Sequence, residues 1–312
     1  MTLDAADLDR MRDALSSSTL SHGLKLIGDR WTVQVLMGAF TGLKRFDDLQ
    51  AQLGIPRHTL SDRLKALVQM DMLRPRLYHE RPDRYEYRLT RKGMALYGAV
   101  LMVWDWEHHF GEGTQPLPTR LVHRTCGHAF VPQLTCEACG EPVTMRDLDL
   151  TLRPNPRLPH DAGEPLRVPK VTASDAPTAS LALRLDRWSL MIVAAVILGC
   201  RHFDQLAQVL RMGPALLSRR LSAMLETGLL SVQPDREDGR RRVYLLTPAS
   251  RALFPYLVLV STWAGEHHFR EPSSIRPRHR ACGKPFVPRA TCSHCHTRLN
   301  AWDVQFETGE AA

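Results

Sequence analysis

Apolar residues recur along the chain in blocks that read as helix, helix, helix, hairpin and helix, and the set occurs twice. Trp31, Val35, Leu36 and Ala39 fall on one face of a helix, as do Trp188, Ile192, Val193 and Val196. A short helix follows in each copy, RFDDLQAQL or HFDQLAQVL, with apolar positions at i, i+3 and i+7. A break comes next, Gly54-Ile55-Pro56 or Met212-Gly213-Pro214, and proline suits the first turn of the helix after it. In PRHTLSDRLKALVQM, Leu60, Leu64, Leu67 and Val68 make a core stripe, and Arg57, His58, Ser61, Asp62 and Lys65 lie opposite. Extended segments are expected at Leu73–Tyr78 and Arg84–Thr90, and at Leu230–Gln233 and Arg241–Thr247, joined by the charged turns HERPD and PDREDGR. Long apolar helices, Leu96–Trp106 and Leu253–Trp263, close the two units.

The two copies keep register. Asp29-Arg30-Trp31 recurs as Asp186-Arg187-Trp188, 157 positions later. The offset holds through Phe46/Phe203, Leu49/Leu206, Ser61/Ser218, Arg63/Arg220, Thr90/Thr247 and Trp106/Trp263, then shifts by a residue or two. This is the signature of a duplicated domain. Between the copies the chain is polar and interrupted by Pro154, Pro156, Pro159, Pro165, Pro169 and Pro177, which predicts a mostly flexible linker over 146–180. An ordered arm lying on a domain is the alternative. The expected organisation is a winged unit 1–110, a cysteine module 111–145, the linker 146–180, a second winged unit 181–270 and a second module 271–306. The fold class is mainly α with small β-hairpins (α+β).

Helix, turn, helix, then hairpin is the order of a winged helix-turn-helix, whose second helix enters the major groove and whose hairpin touches the backbone or minor groove. The first unit resembles the HxlR-type winged-helix regulators in Gly28-Asp29-Arg30-Trp31, Arg45-Phe46-x-x-Leu49, Leu60-Ser61-x-Arg63-Leu64 and Glu86-Tyr87-Arg88-Leu89-Thr90. The second is similar but degraded: it lacks the glycine before Asp186 and carries a wing, DREDGRRRVYLLT, closer to MarR-type regulators. The resemblance implies a dimeric DNA-binding transcriptional regulator and no enzyme. Many members of the family have a cysteine about thirteen residues before the tryptophan; Ser18 and Asp175 stand there instead, so redox sensing by that route is not supported.

Helix position nominates Arg57, His58, Ser61 and Lys65 for DNA contact in the first unit, with Arg57 and His58 for base edges and Lys65 for phosphate. Arg76, Arg81 and Arg84 are the wing candidates. In the second unit the candidates are Ser218, Arg219 and Ser222 on the helix and Arg236, Arg240, Arg241 and Arg242 on the wing. Thr59 is read as a DNA contact or a capping residue. Arg63 and Arg220 either contact DNA or pair with an acid of their own fold. The two units suit a covalent pseudo-dimer or a homo-oligomer. A different class of reading is a scaffold that docks a partner protein through the second unit and the cysteine modules.

The full sequence has 312 residues, 41 Lys+Arg against 33 Asp+Glu, and a net charge of +8, a weak pointer to an anionic partner. The longest apolar run, Leu190–Leu198, is short of the roughly 18 residues a membrane span needs. With no secretory leader, the chain is expected in the cytoplasm, at the nucleoid. No Gly-rich phosphate loop or Gly-x-Ser-x-Gly elbow suggests an enzyme.

Six of the 7 cysteines fall in two matched modules of the form His-x2-Cys-x9-Cys-x2-Cys. This spacing predicts one tetrahedral site in each, from His123, Cys126, Cys136 and Cys139, and from His279, Cys282, Cys292 and Cys295. Zinc in two closed, structural sites suits the sulfur-rich set. Disulfides, buried thiols and an iron–sulfur cluster are the alternatives, and His128, His294 and His296 are substitute ligands. His108-His109 and His267-His268 suit helix C-termini, and Cys200 a core position.

Overall fold

The computed structural model describes residues 3–81, 83–111, 120–160 and 186–307. The first unit contains α1 (Ala5–Ser16), α2 (Thr19–Ile27), α3 (Arg30–Phe40), α4 (Phe46–Leu53), α5 (Arg57–Gln69), β1 (Leu73–Glu80), β2 (Asp83–Leu89), α6 (Arg91–Met94) and α7 (Tyr97–Phe110). The second repeats the order with α8 (Arg187–Ile197), α9 (Phe203–Leu210), α10 (Pro214–Glu226), β7 (Leu230–Pro234), β8 (Arg242–Leu246), α11 (Pro248–Arg251) and α12 (Phe254–Trp263). The intervening strands are β3 (Arg120–His123), β4 (His128–Ala129), β5 (Pro132–Cys136) and β6 (Leu148–Leu152), and the final ones are β9 (Ile275–His279), β10 (Pro288–Cys292) and β11 (Val304–Glu307).

The Asp-Arg-Trp repeats mark helix starts. Asp29 accepts from the backbone N–H groups of Trp31 and Thr32, and Asp186 from those of Trp188 and Ser189, satisfying donors that the first helical turn leaves open. Each aspartate also meets an arginine of the helix two elements on. Arg63 Nε lies 3.2 Å from Asp29, and Arg220 Nη1 lies 2.6 Å from Asp186. The arginines whose role the sequence leaves open are therefore turned toward the fold. Burial pushes the Asp186 carboxyl above its usual range, against the pull of Arg220.

The two units share one apolar core, which runs from Leu8 and Leu15 through Leu60 and Trp106 to Ile192 and Val260. α1 and α2 belong to the first unit by sequence, but they pack largely on the second: α1 on α9, and α2 on α8 and α12. Gly23 makes the α2–α12 crossing possible, because a Cβ there would stand 3.0 Å from Val260 Cγ1 and 3.1 Å from Ala264 Cβ. Cys200 is buried and lies 3.7 Å from Met11 of α1, as a core residue would.

The strands between the winged units follow a local pseudo-twofold. β5 and β10 are equivalent in the repeat, and they pair antiparallel about Leu134↔Ala290. β6 pairs with β9, and β11 pairs with β3 in the same register, Leu148↔His279 and Val304↔His123. Each repeat thus gives its last strand to the first strand of the other, the self-complementary contact of an isologous dimer made within one chain.

This corrects the reading of 146–180 as linker. Residues 148–152 form a strand, Asn155 is buried and donates to the Pro272 carbonyl at 3.0 Å, and His160 Nδ1 meets Ser16 Oγ at 3.0 Å. β6 finds its partners far away in the sequence, in β9 and α1, which local prolines give no hint of. The remainder of the expected linker, 161–180, lies outside the described residues, as does Asp175.

Candidate nucleic-acid interface and metal centres

α5 presents the face that its periodicity predicts. Leu60, Leu64 and Leu67 are buried and Val68 is half-buried, while Arg57, His58, Asp62 and Lys65 are exposed and Ser61 is half-exposed. Arg57 is drawn back toward α4: Nη1 donates to Gln50 Oε1 at 2.9 Å, and the guanidinium lies 5.0 Å from the Phe46 ring. Thr59 Oγ1 stands 3.1 Å from His58 Nε2, and α5 has no side-chain cap. Arg76, Arg81 and Arg84 are exposed on the β1–β2 hairpin, with Arg76 opposite Glu86.

In the second unit α10 buries Leu217, Leu221 and Met224 and exposes Ser218, Arg219 and Ser222. Arg236, Arg240, Arg241 and Arg242 are exposed around the β7–β8 turn. This wing is braced against α9. Arg241 Nη2 donates to both Asp204 carboxylate oxygens, at 2.8 and 2.9 Å, and His202 Nε2 meets Asp235 Oδ2 at 2.6 Å. The turn's own N–H groups and His202 hold the Asp235 carboxyl below its usual range. In both units the second wing strand is hung from the chain just before the short helix, through Tyr87 N–H to the Lys44 carbonyl (2.7 Å) and Tyr244 N–H to the Arg201 carbonyl (2.8 Å).

Two winged helix-turn-helix units with exposed polar helix faces are what a DNA reader needs, and the comparisons decide the family. The HxlR-like helix-turn-helix family matches residues 26–115 and 185–272, more than half of the chain. The chain belongs to this family. It is 39% identical over 138 residues, 44% of its length and 86% of the relative's, to an uncharacterised HTH-type transcriptional regulator of Mycobacterium tuberculosis. It is 29% identical over 94 residues, 30% of its length and 84% of the relative's, to the HTH-type transcriptional regulator YodB of Bacillus subtilis. A solved structure from Pseudomonas aeruginosa, described as that of a transcription factor, aligns at 24% identity and a TM-score of 0.30, covering 51% of this chain and 98% of that one. The chain is an HxlR-type DNA-binding transcriptional regulator, and this is a family of regulators, not of enzymes. No helix among the described residues is long and apolar enough to cross a membrane.

This HxlR-type chain also assembles two clusters of one histidine and three cysteines. All eight residues that the spacing singles out take part, but the grouping differs from the one expected. His123 and Cys126 meet Cys292 and Cys295, and Cys136 and Cys139 meet His279 and Cys282, with the potential ligand atoms of each group within 4.8 Å of one another. Each module thus gives its first knuckle to one site and its second knuckle to the other. Instead of two separate ribbons there is one interleaved body, because β5 and β10 pair side by side and carry Cys136 and Cys292 past each other.

The four knuckles share one backbone turn. Gly127, Gly140, Gly283 and His296 donate to the carbonyls of His123, Cys136, His279 and Cys292, at 2.7–2.9 Å. All four are left-handed, at φ +72°, +77°, +67° and +58°. His296 takes that conformation without being glycine, which accounts for its position better than a ligand role does; histidine is among the side chains enriched there. His128 and His294 stack on each other at 3.7 Å between ring centroids, beside Cys126.

The spacing within each group suits one metal ion. His123 Nδ1 is 3.5 Å from Cys126 Sγ and 3.2 Å from Cys295 Sγ; His279 Nδ1 is 3.3 Å from Cys139 Sγ and 3.5 Å from Cys282 Sγ. Four ligands at about 2.0–2.3 Å from a tetrahedral centre stand about 3.5–3.8 Å apart. The Thr297 hydroxyl and N–H pull the Cys295 thiol down to about 6, and the Lys284 N–H, with His279, pulls Cys282 down to about 7. Both therefore favour the thiolate that ligates metal.

Proposed function

We propose that one chain acts as an intrachain pseudo-dimer, offering α5 and α10 to the two halves of one operator, with two structural zinc ions holding the halves together. The observation that carries this reading is the reciprocal exchange of β6 and β11, which gives one chain the self-complementary interface that a homodimer forms from two. Arg57, His58, Ser61 and Lys65, with the wing residues Arg76, Arg81 and Arg84, read one half-site. Ser218, Arg219 and Ser222, with Arg236, Arg240, Arg241 and Arg242, hold the other, more through phosphate than through base edges. The two faces differ, so the operator is asymmetric.

Zinc is favoured by the donor set of three thiolates and one imidazole per site, which leaves no open position for chemistry. His123 and His279 ligate through Nδ1. Each ion would staple residues 140 or more positions apart in the sequence, so its binding energy is also energy of assembly.

Footprinting on the chain's own promoter, with mass photometry of the complex and metal analysis of the same sample, tests this reading. One chain per duplex, two zinc ions per chain and two unequal protected segments about 34 Å apart are expected. Two chains per operator as the only bound species would defeat it.

A further inference from the structure

The two repeats differ in how fully the space beside the closing helix is filled. Around α7 the apolar positions are filled: Tyr97, Leu101 and Trp104 pack in one cluster with Leu121, Phe130 and Val304, and Met37, Phe40 and Phe306 close it. The Phe40 and Tyr97 rings lie 4.9 Å apart.

At the equivalent positions around α12 the side chains are smaller. Met37 is matched by Ala194, Phe40 by Ile197, Leu101 by Val258, Trp104 by Ser261 and Phe306 by Leu150. All five replacements line a cavity of about 710 Å³. Its roof comes from the other repeat: Thr19 and Leu20 of α2, and Leu148 and Leu150 of β6. The cavity opens to solvent on one side, its walls are mostly apolar, and small-molecule sites commonly measure about 300–1,000 Å³.

The second copy also carries an insertion here. One residue separates Trp106 from His108, but three separate Trp263 from His267. The extra length is absorbed as a single π-helical turn, Ala264–Phe269, followed by Arg270 in the left-handed region at φ +56°. Such turns recur at functional sites. Gly265, Glu266 and Arg270 thereby reach the cavity wall.

The polar groups at the cavity are few. Ser261 Oγ and Thr19 Oγ1 satisfy each other at 2.8 Å. Glu271 is engaged by Arg157 at 3.3 Å, and Glu266 lies 3.7 Å from His267. Arg276 Nε donates to the Ser273 carbonyl. The Arg270 guanidinium has no ion pair or hydrogen bond among the described residues.

We propose that this cavity binds a small apolar acid, a molecule with an aliphatic or aromatic body and one carboxylate. The body takes the space that Trp104, Phe40 and Leu101 fill in the other repeat, and the carboxylate pairs with Arg270. The ligand then touches α2 and β6 of one repeat and α8 and α12 of the other, so its binding stabilises the paired arrangement of the winged units.

Calorimetric titration of the full chain with decanoate and with 4-phenylbutyrate, and with their methyl esters, tests the site without DNA. At least one acid is expected to bind with one equivalent per chain and to raise the melting temperature. Ser261→Trp and Ala194→Met restore side chains of the filled repeat, and each should abolish binding while the melting temperature of the free protein is kept or raised. Arg270→Gln should weaken the acid by roughly tenfold, the worth of one charge-assisted contact, and leave the ester unchanged. If Ser261→Trp does not fold, Ala194→Met carries the test. No binding of either acid would overturn the proposal. So would equal binding by the wild type and the filled variants.

Discussion

The indole Nε1 of Trp106 donates to the backbone carbonyl of Ala249, 2.7 Å away. The repeat supplies the mirror bond: Trp263 Nε1 donates to the carbonyl of Lys92 at 3.0 Å. Trp106 and Trp263 are equivalent, and so are Lys92 and Ala249. Each closing helix therefore bonds to the short helix of the opposite unit. The two bonds lock the helices around the same local twofold that relates β5 to β10.

Both tryptophans are buried, so removing the donor leaves a carbonyl short of its partner. Trp106→Phe and Trp263→Phe keep most of the ring and should each lower the unfolding free energy by about 1–2 kcal/mol in urea titration. The effects should add, since the bonds share no partner. A value near zero for both would mean that the indoles are satisfied otherwise and that the twofold does not rest on them.

The interleaved ligand sets make an unusual demand on double mutants. His123→Ala with Cys295→Ser removes two ligands of one cluster, and should leave one metal equivalent per chain. His123→Ala with Cys136→Ser removes two residues of one module, yet it damages both clusters and should leave none. Metal analysis after gel filtration distinguishes the cases. The opposite pattern would restore the expected grouping within each module.

That grouping could not have been read from spacing. The local signals were legible: the stripe of Leu60, Leu64 and Leu67 sets the recognition helix, Asp29 and Asp186 cap their helices, and the cysteine pairs mark knuckles. What pairs with what was not. When a segment occurs twice, β6 can pair with β3 or with β9 without changing the pattern of either strand. The choice is made by the pairing of β5 with β10, between residues about 150 positions apart. The same holds for α1 and α2, whose amphipathic pattern shows an apolar face but not that the face lies on α8, α9 and α12. The cavity was likewise hidden, since Ala194 and Ser261 read as ordinary helix residues until their counterparts are seen packed.

The matched arginines should differ in worth. Arg220 and Asp186 are largely covered, at 12% and 20% side-chain exposure, whereas Arg63 and Asp29 stand at 38% and 36%. Arg220→Ala strands a buried carboxylate, and should destabilise the chain by about 3 kcal/mol. Arg63→Ala loses a wetter pair, worth less than about 1 kcal/mol. Chemical denaturation of the two variants compares them. Asp186→Asn with Arg220→Ala should recover part of the loss, since no charge is then left buried, although the cap at the start of α8 is weakened.

Lys65 and Arg57 occupy the same face of α5 but are bound differently to the fold. Lys65 is exposed, and its proposed role is a phosphate contact. Lys65→Ala should weaken binding to all duplexes alike and reduce the slope of log K against log salt by about 1. Arg57 must leave Gln50 Oε1 and the Phe46 ring to reach a base edge. Arg57→Ala should therefore relax preference at one operator position by about 1–3 kcal/mol, while Gln50→Ala, which removes one of the guanidinium's tethers and leaves the Phe46 ring and Asp47, should tighten binding or leave it unchanged. Fluorescence anisotropy over a salt series, with the operator and single-base variants, separates the two roles. A uniform loss across all sequences in Arg57→Ala would assign that residue to phosphate instead, and place base reading on His58 and Ser61.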